Sequence, residues 1–197
     1  MQLFLQKALT RTLATTALAA AVLVTPLIES KADTHRPGDS STKAQNSQEL
    51  RVENGIYTIQ SAREDSKRVG MGPANSGNYH NIQLFSYNPG ALDTEFQFSY
   101  NASKDAYTIK SQKYSYKYMM VDVPGYFGGL VGTVMYPSDG DSGYWKIKDA
   151  GNGYVYLESL KSGTVMSQVF YGPVFKDDLT VSYNTGEVHQ KFKLHNK

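Results

Sequence analysis

Hydrophobic and polar residues alternate along most of the chain after residue 50. Tyr57, Ile59 and Ser61 fall on one face when their segment is written as an extended strand, and Phe96 and Phe98 share a face in the same way. Side chains of a strand point to alternate faces, so a period of two predicts strands with one buried face. No segment after residue 50 shows the 3.6-residue stripe of a helix, and the pattern therefore predicts an all-β domain.

Two sequence markers each occur three times in this part of the chain. The opening marker is an alternating pentapeptide that ends in serine, at 57–61, 107–111 and 155–159. The closing marker begins with an aromatic residue, at 96–98, 145–147 and 192–194. The distance from the opening serine to the closing aromatic is 35, 34 and 33 residues. Two independent markers that keep step in this way predict three internal repeats.

Each repeat contains two further strand candidates between its markers. They lie at 68–72 and 82–87, at 118–123 and 132–136, and at 164–169 and 179–183. Pro-Gly and Asn-Pro-Gly turn sequences separate several of them. Four strands in each repeat predict twelve strands in a domain of residues 52–197, with repeats of about 52–102, 103–150 and 151–197.

Three such repeats resemble the ricin B-type β-trefoil lectins, whose units open with a Tyr-Thr-Ile-like strand and close with a Gln-x-Trp motif. Only Gln190-Lys191-Phe192 keeps the glutamine, because the other two motifs are Thr94-Glu95-Phe96 and Gly143-Tyr144-Trp145. The resemblance covers residues 52–197. It implies a β-trefoil, in which six strands form a barrel, six form hairpins and the closing aromatics anchor the core.

The resemblance also implies a shallow sugar site in each repeat. An Asp after the second strand accepts hydroxyl hydrogen bonds, an aromatic at the end of the third strand stacks on the sugar ring, and an Asn-Gln pair precedes the closing aromatic. In the first repeat Gln83, Phe85 and Asn88 stand at contact positions. Gly70 stands at the place of the acid, however, and Asp93-Thr94 replaces the amide pair.

The other two repeats are further from the complete set. In the second, Asp122 is a candidate for the acid and Tyr136 for the aromatic, with Met120 an equally fair alignment to the acid's place. In the third, a constant offset of 96 residues from the first repeat puts Met166 at the acid and Val181 at the aromatic. The alternative is that the aromatics are half-buried strand residues and Asp122 is a turn residue.

The sequence contains motifs that resemble catalytic or metal sites, but the residues around them do not support such a role. Residues 140–143 read Gly-Asp-Ser-Gly, as in trypsin-like proteases, but His35 and His80 lack the context of a catalytic base, and the tetrad falls in the loop before Trp145. The four histidines show no zinc-ligand spacing, and no glycine-rich phosphate loop occurs. Asp177-Asp178 has the pattern of a solvated turn. We therefore expect no enzyme activity, no metal and no cofactor.

The first fifty residues differ in composition from the rest. Lys7 and Arg11 precede an apolar run over 13–28, which is shorter than the roughly 20 residues of a membrane-spanning helix. This arrangement predicts a secretory signal peptide over 1–32, with an uncleaved anchor as the alternative. The polar segment 33–51 predicts a flexible linker. We expect a secreted, extracellular protein, with the periplasm as an alternative location.

Charge and cysteine content narrow the range of partners. The full chain carries a formal net charge of +2, but the predicted leader holds Lys7, Arg11 and Lys31 against Glu29, so the remainder is neutral. A neutral chain lacks the basic patch that nucleic acids or acidic membranes require, and we expect no nucleic-acid binding and no stable membrane insertion. The chain has no cysteine, which excludes disulfides and a thiol nucleophile.

These observations predict a secreted, non-enzymatic β-trefoil that binds a glycan or glycoprotein. The excess of tyrosine, 15 residues, fits a binding surface because tyrosine offers a large amphipathic ring. The alternative is a protein-binding role on the same fold, such as the receptor-binding or carrier subunit of a bacterial toxin, or an inhibitor. In the toxin case the chain would have a toxin partner protein.

Overall fold

The computed structural model describes residues 47–74, 79–121, 131–134, 140–168 and 177–197, which contain twelve β-strands. The first repeat has β1 (Gly55–Ser61), β2 (Lys67–Ala74), β3 (His80–Ser86) and β4 (Glu95–Asn101). The second has β5 (Ala106–Ser111), β6 (Tyr118–Val121), β7 (Val131–Val134) and β8 (Tyr144–Gly151). The third has β9 (Tyr154–Ser159), β10 (Val165–Gln168), β11 (Leu179–Ser182) and β12 (Phe192–Asn196). The all-β prediction and its twelve strands are confirmed.

Six strands close into a barrel because each closing aromatic lies opposite residues of two opening strands. The pairs are Phe96 with Tyr57 and Ser111, Trp145 with Tyr107 and Ser159, and Phe192 with Val155 and Ser61. All of these pairings are antiparallel. The remaining strands form one hairpin in each repeat, β2–β3, β6–β7 and β10–β11. A six-stranded barrel with three hairpins is a β-trefoil.

The closing aromatics lie in the centre of a single core. Phe96, Trp145 and Phe192 are at most 1% exposed, and they belong to one hydrophobic cluster with residues from all three repeats. The indole N–H of Trp145 donates a hydrogen bond of 3.1 Å to the carbonyl oxygen of Met119, which satisfies its only polar atom. The prediction that these residues anchor the core is confirmed.

A short 3₁₀ turn precedes each closing strand. The turns span Leu92–Thr94, Asp141–Gly143 and Val188–Gln190. The second turn contains the protease-like tetrad, and its Ser142 is only 5% exposed. The tetrad therefore belongs to the loop before Trp145, as the repeats predict.

The end of the segment that we predicted as a linker, residues 33–51, contacts β8. Leu50 donates a backbone hydrogen bond of 2.7 Å to Ile147, and Asp149 donates one of the same length to Gln48. Glu49 forms an ion pair with Lys146 in β8, with a nitrogen–oxygen distance of 3.0 Å. These contacts attach residues 48–50 to β8. The predicted signal peptide lies outside the described residues, and no helix within the described part could span a membrane.

Candidate functional site

In the first repeat the side chain of Phe85 packs directly on Gly70. In the β2–β3 hairpin, Gly70 lies opposite Gln83 and Phe85 lies opposite Arg68. A Cβ atom added to Gly70 would lie 2.8 Å from Phe85 Cδ2 and 3.1 Å from the methyl group of Thr94. The positions that the resemblance assigns to the acid (Gly70), the aromatic (Phe85) and the amide pair (Thr94) therefore lie together, as expected. The phenyl ring fills the space in which an acidic side chain would stand.

In the third repeat the strand pairing corrects our alignment by one residue. Arg68 and Val165 occupy the same place opposite the opening strand of their repeats, and they are 97 residues apart. The constant offset of 96 is therefore wrong for this hairpin. Met166 and Val181 lie in the core, with exposed fractions of 0% and 5%. A shift of one residue moves every side chain of a strand to the opposite face of the sheet. The positions that correspond to the acid and the aromatic are therefore one residue later than our alignment placed them.

The corrected places in the third repeat are Ser167 and Ser182, whose hydroxyl oxygens lie 2.7 Å apart. The side-chain amide of Gln190 donates to Ser182 Oγ at 2.8 Å and approaches Ser167 Oγ at 3.1 Å. The carbonyl oxygen of that amide accepts the backbone N–H of Thr185 at 2.8 Å. Gln190 is fully buried. The remnant of the Gln-x-Trp motif thus holds the β10–β11 hairpin, and no aromatic ring is present at the stacking place.

In the second repeat the register places Met120 where the first repeat has Gly70. Tyr118 lies opposite Lys110 of β5, as Arg68 lies opposite Gln60 of β1, and Met120 follows two residues later. Val134 pairs with Tyr118 and takes the place of Phe85. The pairing therefore favours the Met120 alignment. Asp122 and Tyr136 lie outside the described residues, and their roles stay predictions.

A cleft of about 480 Å³ lies beside Phe85, between the β2–β3 hairpin and the residues that lead into β11. Its lining includes Gln83 and Phe85, two of the site residues predicted from the sequence, together with Lys67, Asp177 and Asp178. Asn88, the third residue predicted in this repeat, is exposed and is not part of the lining. The cleft is therefore lined by residues of the first repeat and of the third.

Hydrogen bonds between the first and third repeats hold one side of this cleft together. The backbone N–H of Leu84 donates to the carbonyl oxygen of Asp177 at 2.7 Å. Gln83 pairs with Asp178 in a β-bridge, and its side-chain N–H donates to the Asp178 carboxylate. Asp178 is only 6% exposed. Our interpretation of Asp177-Asp178 as a solvated turn is therefore wrong for Asp178, which β3 binds from the other repeat, whereas Asp177 lies in a turn and is partly exposed.

Lys67 carries the charge of the opposite sign in the cleft. Its ammonium group contacts the carboxylate of Asp177 and lies 3.0 Å from Glu64 Oε2. Burial lowers the pKa of Lys67, but the hydrogen bonds and charges of Asp177 and Glu64 outweigh it, and the pKa is raised. A hydrogen bond from Gln168 at 2.6 Å, followed by that of Lys67, lowers the pKa of Glu64. The ammonium group is thus held between two carboxylates.

The cleft has the groups that a sugar ring requires. The half-buried ring of Phe85 can stack on the apolar face of a pyranose, while carboxylate oxygens accept hydrogen bonds from its hydroxyl groups. The side-chain amide of Gln83 holds one of these carboxylates in place. Among the described residues, no group of three or more His, Asp or Glu side chains could hold a metal ion.

Comparison with known proteins identifies the fold. No family model and no curated protein matches this sequence. Among solved structures, a mosquitocidal holotoxin matches 75% of this chain with a TM-score of 0.66 and 15% identity, and the chain spans only 18% of the holotoxin. The designed three-fold symmetric protein ThreeFoil matches over 73% of this chain and all of its own length, with a TM-score of 0.60 and 19% identity.

A ricin B-like lectin from Macrolepiota procera, solved in complex with lactose, gives a similar match. It covers 75% of this chain and 100% of the lectin, with a TM-score of 0.58 and 16% identity. These identities are low, so the comparisons establish a shared fold. The chain has the β-trefoil fold found in ricin B-like lectins and in part of the toxin.

Proposed function

We propose that this protein is a secreted carbohydrate-binding module, and that a glycan or glycoprotein binds in the cleft between its first and third repeats. The observation that carries the proposal is the placement of Phe85 beside Gln83, Asp177 and Asp178 around one cleft. An aromatic ring with carboxylate acceptors matches the apolar face and hydroxyl rim of a pyranose. The proposed site lies beside the place implied by the resemblance, which Phe85 itself fills.

The proposal is one of binding without catalysis. The structural neighbours include lectins, and one of them was solved with lactose. Ser142, in the protease-like tetrad, is nearly buried in a turn that precedes a core strand. Secretion is supported by the leader-like segment over 1–32, and N-terminal sequencing of the culture supernatant should place the mature terminus near Asp33.

A glycan array probed with residues 33–197 tests the proposed function. We expect binding to a subset of glycans, and we expect Gln83→Ala to reduce the signal because it removes the partner of Asp178. Gln97→Ala is the matched control, since Gln97 is a partly buried strand glutamine outside the cleft. An array without signal for the wild-type protein would contradict the proposal.

A protein-binding role is the second candidate, and the exposed aromatic residues support it. Tyr87, Tyr116 and Tyr183 are 39%, 40% and 83% exposed, and rings of this kind are frequent in protein interfaces. The similarity to part of a mosquitocidal holotoxin adds support for a toxin subunit. Co-purification of a protein partner, with no glycan bound at millimolar concentration, would favour this candidate over the lectin-like one.

A further inference from the structure

The charges around the cleft are unequal. Asp177 and Asp178 line it, and Glu64 contacts Lys67, the only lysine among the described residues of the lining. Among the described residues in and beside the lining, three carboxylates thus outnumber one ammonium group, which contacts two of them. The set has a net charge of −2 when all four groups are ionised, although the protein without its predicted leader is neutral.

Lys67 does not offer a free cation to a ligand. Its ammonium group is already bound by Asp177 and Glu64, and its side chain is 17% exposed. A carboxylate on a ligand would have to displace one of these two partners. The nearby Arg68 is not in the lining, and its guanidinium group covers the ring of Tyr87 at 4.4 Å.

Asp178 is the carboxylate with the fewest neutralising contacts. Its hydrogen-bond partner is the uncharged amide of Gln83, and it makes no ion pair with any residue that the structure describes. It is only 6% exposed, and a charge in such a place is screened less by water than a surface charge. An anionic group on a ligand would therefore be repelled by the Asp178 carboxylate, whereas a hydroxyl group on a ligand would donate a charge-assisted hydrogen bond to it.

Resting on the proposed carbohydrate binding, we infer that the cleft selects uncharged pyranoses and rejects sugars that carry a carboxylate or sulfate group. Phe85 recognises the ring, and the carboxylates of Asp177 and Asp178 determine which substituents are accepted. The selectivity therefore comes from repulsion of the wrong ligand as much as from attraction of the right one.

A matched pair of sugars tests this inference. Methyl β-glucopyranoside and methyl β-glucuronide differ only in the replacement of a CH₂OH group by a carboxylate, and the galactose pair differs in the same way. Titrations of the secreted protein by calorimetry or NMR should show the neutral member of a pair bound at least about tenfold more tightly. The difference should shrink when the salt concentration is raised.

Two variants assign the selectivity to the cleft. Asp178→Asn keeps the size of the side chain and removes its charge, so we expect the difference between the paired sugars to shrink by several fold. Asp177→Asn provides a second test if the first variant does not fold, as judged by circular dichroism. Asp149→Asn is the control, because Asp149 is exposed on β8, lies outside the cleft lining and should leave the difference unchanged.

The outcomes separate the inference from the proposed function. If glycans bind but the uronides bind as tightly as their neutral partners, or if sialylated and sulfated glycans dominate the array, the inference is wrong and the proposed function stands. If no glycan binds in either experiment, both are wrong. Preference for the neutral member, reduced by Asp178→Asn and not by Asp149→Asn, supports the inference.

Discussion

Gln83 in the first repeat donates a side-chain hydrogen bond to the carboxylate of Asp178 in the third repeat, 95 residues later in the chain. The two residues also form a β-bridge, so backbone and side chain both join the repeats at this point. The contact fixes one wall of the cleft. It also places the nearly buried Asp178 in the lining of the cleft.

The free energy of this contact can be measured with a double-mutant cycle. Gln83→Ala alone should lower the free energy of unfolding by about 1.5 to 3 kcal/mol, because it leaves the buried Asp178 carboxylate without its partner. Asp178→Ala should then cost less in the Gln83→Ala background than alone. Urea unfolding of the four proteins measures the coupling, and additive changes would show that the two side chains do not interact in solution.

The close contact between Gly70 and Phe85 gives a prediction about the first repeat. Gly70→Ala should destabilise the protein by about 1 to 3 kcal/mol, since a Cβ atom there would lie 2.8 Å from the ring. Phe85→Ala should remove most of this penalty in the double variant. Thermal unfolding of the three variants is the measurement, and a Gly70→Ala protein as stable as the wild type would show that the ring lies elsewhere.

Trp145 should be indispensable for the fold. The side chain is fully buried in the shared core, so Trp145→Ala should cost about 3 to 5 kcal/mol and unfold much of the protein at moderate temperature. Trp145→Phe keeps a ring at this place and serves as the conservative comparison. A thermal midpoint that shifts by no more than a couple of degrees in the alanine variant would contradict the core assignment.

The pKa of Glu64 predicts a loss of stability in acid. The hydrogen bond from Gln168 and that from Lys67 lower this pKa in the folded protein, so protonation favours the unfolded chain. The stabilisation is complete above the ordinary glutamate pKa of about 4.3 and is lost as the pH falls through the folded value. Glu64→Gln should therefore be less stable than the wild type at pH 7, and the difference should shrink as the pH falls below about 4.3.

Urea midpoints across this pH range test the effect. Glu53→Gln is the control, because Glu53 is exposed and forms no ion pair among the described residues. Its urea midpoints serve as the reference for those of Glu64→Gln. A constant difference for Glu64→Gln would show that the Glu64 carboxylate is not held by Gln168 and Lys67.

The sequence predicts the barrel well because the determinants of its strands are local. Each closing aromatic and its strand alternate with a period of two, and three copies of the same spacing support one another. The hairpins are harder to align, because the offset between the first and third repeats falls from 98 residues at the opening serines to 96 at the closing aromatics. The hairpin that holds the site lies between these two markers, at an offset of 97 residues. An alignment error of one residue there exchanges the buried and exposed faces of the strand.

The cleft itself could be predicted only in part. Gln83 and Phe85 were found from their place in the third strand, which is a local signal. Asp178 was missed because its burial depends on a bridge to a strand 95 residues earlier, and an Asp-Asp dipeptide alone has the composition of a turn. Lys67 carries no local signal either, since its two carboxylate partners come from different repeats.

The most direct test of the central claim is an NMR titration of ¹⁵N-labelled protein, residues 33–197, with neutral methyl pyranosides at millimolar concentration. We expect saturable shifts of the backbone amides of Gln83, Phe85 and Asp178, with little change at Gln97 on the barrel. Phe85 and Asp178 belong to different repeats, so simultaneous shifts at both would place the ligand in the cleft. Saturable shifts confined to other parts of the protein, or no shifts at all, would contradict the claim.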